Sequence, residues 1–407
     1  MPVRFRPIRR KMAIYLDNAA SMKTRAEALA AAMPYLAEEY GNPSSLHSPG
    51  LSAKKAIQKA REDIATCLWC KPSEIVFTSG GTESDNLAIK GFFEANCERG
   101  KHIITTNIEH HAVSGSIEWL HRQGAEVTAL PVDGEGLVTA AQVAAAIRPD
   151  TILIAIQFAN NEIGTVQPIA EIASVAKCRG IAFFTDAVQA VGHVPFALGS
   201  SEGAGKLPAG DTPYNYLGIT MLAGAAHKFG GPKGVGFLFV REGTKLAPQM
   251  HGGAQEMRLR AGTEHVAGIV GMAAALIASC RELRESSRRV RALRDAMFDR
   301  ILAEISDSRA NGSRTNRLPG NVSVSFAGVE AASVLVLMDM AGIACSGGSA
   351  CTSASGTVSH VIEALQVPQE YENGTIRMTI STETTRAEID AAVTALVGII
   401  TKLRVGR

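Results

Sequence analysis

Between Glu74 and Thr185, short runs rich in Ile, Val, Phe and Thr alternate with stretches whose apolar residues recur at helical spacing. The strand-like runs are Glu74–Ser79, His102–Thr106, Glu126–Leu130, Thr151–Phe158 and Ile181–Thr185. The spacing predicts helices over Ser52–Leu68, Asp85–Ala95, Val113–Gln123, Thr139–Ile147 and Ile169–Cys178. Repeated strand-then-helix units imply a mostly parallel sheet covered on both faces. In such sheets ligands bind beyond the carboxyl ends of the strands. The polar residues Thr82, His110, Asn161, Asp186, Gln189 and Lys228 all fall at those ends.

Downstream the pattern changes. Gly199–Pro213 is rich in Gly, Ser and Pro and reads as a loop. A long amphipathic helix is expected over Ala267–Ile305, with a break near Arg284–Ser287. A second α/β unit follows, with strands over Asn321–Phe326 and Thr375–Ile380 and helices over Ala331–Met340 and Arg386–Leu403. Inside it lies a loop of small residues, Ser346–Ser353, with Cys351 in it.

Composition narrows the function classes. Lysine plus arginine is 41 and aspartate plus glutamate 39, a net charge of +2, which is no nucleic-acid footprint. No apolar run reaches the length of a membrane span. Seven cysteines in 407 residues argue for a reducing compartment rather than a disulfide framework. Arg4, Arg6, Arg9, Arg10 and Lys11 form a basic N-terminal tail too short to read as a transit peptide.

Three stretches carry chemistry. In AAHKFGGPKG, an apolar run delivers His227 and Lys228 to a Gly/Pro turn. A lysine amine held away from water has a lowered pKa and attacks carbonyls, which suits a Schiff base with an aldehyde cofactor; a surface lysine in a hairpin turn is the plainer alternative. Strand, Gly80-Gly81-Thr82 and helix start form an anion-binding arrangement, because first-turn amides point outward. Cys351 sits among residues too small to bury it, whereas Cys345 looks like core. Cys67 and Cys70 have CxxC spacing without a second pair, so a zinc site is not expected and a redox pair is the remaining reading.

The runs YLDNAA, EYGNPSSLH, EIVFTSGGTESDNLAIKG, EHHAV, NNEIG, DAVQAVG, AHKFGGPKG, QMHGGAQE, RAGTEH and SGGSACTSAS occur in this order from about Ile14 to Leu403. With them the chain resembles the cysteine desulfurases of the NifS/IscS type, pyridoxal-phosphate (PLP) enzymes of fold type I. The resemblance implies an α/β fold with a large PLP-binding domain over 20–262. It implies a smaller C-terminal domain over 263–407, with 1–19 packing on it. It implies that Lys228 holds PLP covalently, Asp186 pairs with its ring nitrogen, Gln189 bonds its phenolic oxygen and His110 stacks on its ring. Gly81, Thr82 and His227 would hold the phosphate, with Thr263 arriving from a second subunit of a homodimer. Asn161 and Arg377 would bind the carboxylate of L-cysteine. Cys351 would take the sulfur as a persulfide and pass it to acceptor proteins for iron–sulfur cluster assembly or thiolation. No metal, nucleic acid or membrane is implied, and the expected location is the cytoplasm.

The chain departs from that family pattern in three places. Ala225 stands where the family has a phosphate-binding serine, so another hydroxyl is needed, and Thr212, Tyr214, Tyr216 and Thr220 are near in sequence. The Gly199–Pro213 loop is longer than usual, and Ser381-Thr382 replaces Gly-Arg after Arg377. Alternative readings are a selenocysteine lyase or aminotransferase of the same fold, or a non-catalytic scaffold of a sulfur pathway.

Overall fold

The structure is a computed structural model that describes residues 14–199, 218–348 and 358–405. The basic tail, most of the Gly199–Pro213 loop with Thr212, Tyr214 and Tyr216, and Cys351 lie outside the described residues.

The chain opens with β1 (Ile14–Tyr15), α1 (Ala26–Ala37) and α2 (Ser48–Leu68). The α/β alternation then runs as predicted. It comprises β2 (Ile75–Thr78), α3 (Gly81–Asn86) continuing through a π turn into α4 (Phe92–Asn96), β3 (His102–Thr106), α5 (His111–Arg122) and β4 (Glu126–Leu130). Next come α6 (Ala140–Ala146), β5 (Thr151–Ala155), α7 (Ile169–Cys178), β6 (Ala182–Asp186), β7 (Met221–Ala225) and β8 (Gly236–Val240). Among the described residues these strands form one sheet in the order β2-β8-β7-β6-β5-β3-β4. Only β8 runs against the others. The sheet is therefore mostly parallel, and the carboxyl ends of β2, β3, β5, β6 and β7 share one edge. Apart from the partly exposed edge strand β4, its strands are buried on both faces, as expected of a sheet sandwiched between helices.

Helix α8 (Val266–Glu304) is continuous, so the predicted break near Arg284–Ser287 does not occur. The polar run Arg284–Arg289 breaks the apolar periodicity without a Pro or Gly to break the backbone. The first part of α8 is long and apolar enough to cross a membrane, which corrects the expectation that no run reaches that length. Its Ile269, Met272, Ala275 and Leu276 are buried in the core beneath the large sheet, the ordinary reason for such a helix. Its last turns supply Met297, Phe298 and Ile301 to a second core.

That second core belongs to the C-terminal α/β unit: β9 (Ser308–Ala310), β10 (Asn321–Phe326), α9 (Ala331–Met340), β11 (Ile343–Ala344), α10 (His360–Ala364), α11 (Gln369–Glu372), β12 (Thr375–Thr379) and α12 (Arg386–Val405). Its antiparallel sheet has the order β12-β10-β9. Leu16 is buried in this core and β1 pairs with β11, so the N-terminal segment packs on the C-terminal unit. From there the chain runs through Asp17–Ser21 to the edge of the large sheet.

Candidate active site

Strand ends deliver the site. Strand β7 ends at Ala225, and one tight turn, Ala226–Lys228, carries His227 and Lys228 over the sheet edge. The Lys228 amine donates to the carbonyls of Ala19, at 2.6 Å, and Ala20, at 3.1 Å. The Gln189 amide donates to the same Ala19 carbonyl at 3.0 Å. Residues 19–21 thus form the wall opposite the lysine. His227 Nδ1 lies 3.4 Å from Ser21 Oγ. Burial, with the charges of Lys228 and Lys233, pushes the His227 imidazole down to about 4, so it is neutral at pH 7.

Strand β6 ends on Asp186, whose Oδ1 accepts the Val188 amide at 2.9 Å. Burial pushes its carboxyl pKa upward, against the pull of His110, the Val188 amide and Lys228. His110 is the N-cap of α5, and its Nδ1 accepts the Ala112 amide at 3.1 Å. In the neutral ring the proton therefore sits on Nε2. Burial holds the His110 pKa down. Of the adjacent histidines, His110 joins the site, whereas His111 is exposed with its ring 4.9 Å from that of His360.

Strand β2 leads through Gly80, at φ 151°, into α3. A Cβ on Gly81 would lie 2.7 Å from Val188 Cγ2, so the helix start fits against the Asp186 turn only with glycine there. Thr82 is exposed in the first turn. Glu83 pairs with Arg260 at 2.9 Å and ties the helix start to the run that carries Thr263. Thr263 itself is exposed. Thr220 is excluded as a substitute for the missing serine. It sits before β7, at the far end from Ala225, and its hydroxyl accepts the Phe183 amide.

Arg377 lies within β12, 2 % exposed. Its guanidinium donates to Asp17 Oδ1 at 3.0 Å and to the Asn161 carbonyl at 3.0 Å, while its buried Nε has no partner among the described residues. This is a buried fork facing the Asn161 turn, not the surface ion pair that an arginine in a strand usually makes.

Cys351 lies outside the described residues, but its flanks do not. Ser346 bridges to Arg377, and the Ser359 hydroxyl donates to Glu162 Oε2 at 2.6 Å. Cys345 is half-buried against the second core, and burial pushes its thiol up to about 12, in keeping with a structural cysteine. Cys67 and Cys70 are both free and partly buried, and the Cys67 thiol has Cys280 of α8 as a neighbour; that neighbour and burial push its pKa up.

Sequence reasoning missed four carboxylates. Asp17 pairs with Arg377. Glu109 is buried and accepts from Thr106 Oγ1 at 2.6 Å and the Gln157 amide at 3.0 Å; burial pushes it up to about 8. Asp85 is buried beside Asp186 and His110. Glu162 is buried under the flanks of the cysteine segment. Asp17, Asp85 and Glu162 lie inside the quoted motifs YLDNAA, TESDN and NNEIG, and Glu109 opens EHHAV, so position in a motif was the available signal.

The donor set fits pyridoxal phosphate. There is a lysine amine at one side, a buried carboxylate at a strand end for a ring nitrogen, and a glycine cradle at a helix start for a phosphate.

The profile of the family Aminotransferase class-V matches residues 14–392. A protein named cysteine desulfurase IscS from Dictyoglomus turgidum is 46 % identical over 394 residues, 97 % of this chain and 96 % of the relative. One of the same name from Methanosarcina thermophila is 46 % identical over 96 % of this chain and 93 % of its own. A solved NifS-like protein superposes with a TM-score of 0.87 at 33 % identity, covering 96 % of this chain and all of that one. A structure described as SspA in complex with cysteine gives 0.77 at 36 % identity, over 91 % of this chain and 100 % of that one.

Proposed function

The chain belongs to the class-V aminotransferase family and, within it, to the cysteine desulfurases, and on that footing we propose that it converts L-cysteine to L-alanine with PLP as cofactor and leaves the sulfur on Cys351. The observation that carries the reading is the convergence of Lys228, Asp186 and His110 on one sheet edge with a buried arginine fork at Arg377. Bound there, PLP supplies an electron sink that lets electrons leave the substrate's α-carbon. Asp186 keeps the proton on the ring nitrogen, because a buried carboxylate at contact stabilises the pyridinium. Lys228 moves protons at the α-carbon, and His110 Nε2 acts as acid and base beside the substrate. Arg377 and Asn161 orient the substrate carboxylate, Gln189 the phenolic oxygen. Gly81, Thr82 and His227 hold the phosphate, with Thr263 supplied by a second subunit. The Cys351 thiolate then attacks the substrate sulfur. The bond between the β-carbon and sulfur breaks, a sulfur–sulfur bond forms, and the β-carbon, which keeps the electron pair, takes a proton to give alanine.

The homodimer is supported by Thr263, which is exposed and so open to a second subunit. Sulfur acceptors for iron–sulfur assembly or thiolation follow from the need to discharge a persulfide. A reducing cytoplasmic setting is supported by the free state of all six described cysteines. The test is Cys351→Ser. It keeps bound cofactor and a cysteine-induced absorbance change, but forms no persulfide. Wild-type protein carrying the extra sulfur on Cys345, Cys67 or Cys70 and never on Cys351 refutes the assignment by mass spectrometry.

A further inference from the structure

Asp85 lies on α3, four residues after Gly81 and so on the same helix face. It is 1 % exposed. Atoms of Asp85, His110 and Asp186 all lie within 4.8 Å of one another. No ion pair reaches Asp85, and its buried Oδ1 has no hydrogen-bond partner among the described residues. Asp186, 8 % exposed, is better provided for, with the Val188 amide on Oδ1 and the charges of Lys228 and His110 nearby. Glu109 is the third buried carboxyl of the group, and it has the Thr106 hydroxyl and the Gln157 amide.

Two carboxylates sharing one buried site do not both ionise. The proton stays on the group with least compensation, which is Asp85. Burial, then the charges of Asp186 and Glu109, act on Asp85 in that same direction.

We propose that Asp85 is a positioning residue of the cofactor site: it remains a neutral acid beside Asp186, so that Asp186 alone carries the negative charge that the ring nitrogen of PLP meets. An ionised Asp85 would spread two charges over the site and draw the proton between the carboxyls. A neutral one leaves Asp186 a full carboxylate. Because Asp85 rides on the helix whose first turn holds the phosphate, the fit of the phosphate end and the charge at the ring end are set by one rigid element. The proposal rests on the reading that Asp186 faces the ring nitrogen.

The experiment is infrared difference spectroscopy on the purified protein with its cofactor, at neutral pH, in light and heavy water. The wild type should show the carbonyl stretches of two protonated carboxylic acids, one lost in Asp85→Asn and the other, from Glu109, lost only in Glu109→Gln. Asp85→Asn, a neutral isostere, should also keep the wild-type absorbance of the bound cofactor and its pH dependence, whereas Asp186→Asn changes both. An unchanged protonated-acid signal in Asp85→Asn overturns the proposal. So does a cofactor spectrum in Asp85→Asn that matches Asp186→Asn. If Asp85→Asn does not fold, protein labelled with carboxyl-13C aspartate decides the matter: one protonated band should shift with the label and persist in labelled Asp186→Asn, and either no shifted band or one that is lost in Asp186→Asn overturns the proposal. Loss of cofactor absorbance from the wild type itself would refute the site reading instead, and the infrared band would still report on Asp85.

Discussion

Ala225 offers a test of how the phosphate end is satisfied. It ends β7 opposite Gly236, its side chain is 1 % exposed, and a Cβ placed on Gly81 would lie 3.8 Å from its own. A hydroxyl on residue 225 would therefore point at the helix start where the phosphate is expected. In Ala225→Ser that hydroxyl gains a charged acceptor when cofactor is bound. Hydrogen bonds to charged groups contribute about 1.5–3 kcal/mol. That corresponds to about a tenfold to hundredfold slower loss of cofactor, at 1.4 kcal/mol per decade. In cofactor-free protein the same hydroxyl is buried without a partner, at a cost of about 1–3 kcal/mol. The substitution should thus lower stability without cofactor and raise it with cofactor, while kcat is unchanged, because the contact is equal in ground and transition states. The assays are urea unfolding of both forms and the rate of cofactor release once a competing amine has freed it from Lys228. Equal release rates refute the reasoning and mean that another hydroxyl already serves. Ser21, 3.4 Å from His227 Nδ1, is the one at hand.

Three further outcomes are expected. Gly348→Ala places a Cβ 2.5 Å from Glu162 Oε2, the atom that accepts from Ser359; it should impair persulfide formation while sparing the cysteine-induced absorbance change, and normal sulfur transfer refutes this. Glu109 holds its proton up to about pH 8 in the folded protein against 4.5 in the unfolded chain, so its contribution is full below about 4.5 and is lost as pH rises through 8. Glu109→Gln should flatten the stability–pH curve across that window, and an unchanged slope in urea unfolding refutes it. Dilution should dissociate a dimer and weaken cofactor binding through loss of Thr263, and a monomer in sedimentation with full cofactor affinity refutes that.

The sheet and the residues at its edge were legible because they are local. Strands buried on both faces read as continuous apolar runs, and the chain places its functional groups just after them. Helix starts were less so. Periodicity put α3 at Asp85 and α5 at Val113, whereas the helices begin at Gly81 and His111, because a cap is set by one residue's geometry and not by a repeat. Helix α1, rich in alanine, has too few large apolar residues to show a stripe, and forms by packing on α8. The missed carboxylates share one cause. Burial of Asp85, Glu109 and Glu162 is a tertiary fact, and the partner of Asp17 and the Cys280 neighbour of Cys67 lie hundreds of residues away.

Those buried carboxylates also explain how two separate cores hold one site. The C-terminal unit meets the large sheet through polar bonds around the Asn160–Glu162 turn and the start of α5. Arg377 donates to the Asn161 carbonyl, Asn321 to the Glu162 carbonyl and Ser359 to the Glu162 carboxylate, while His360 Nε2 donates to the Glu109 carbonyl at 3.0 Å. Each is short-range and directional, unlike apolar contact, which tolerates sliding. Charge-assisted members of such a set contribute about 1.5–3 kcal/mol each, enough to select one docking geometry among many of similar apolar area. The same bonds place Gly348 and Ser359, the flanks of the segment that carries Cys351, beside Glu162 and thus at the edge where Lys228 sits. A thiol that must reach a sulfur atom on a bound substrate needs its flanks fixed relative to that substrate. The burial of Glu162, costly for a carboxyl by itself, is the structural expense of fixing them.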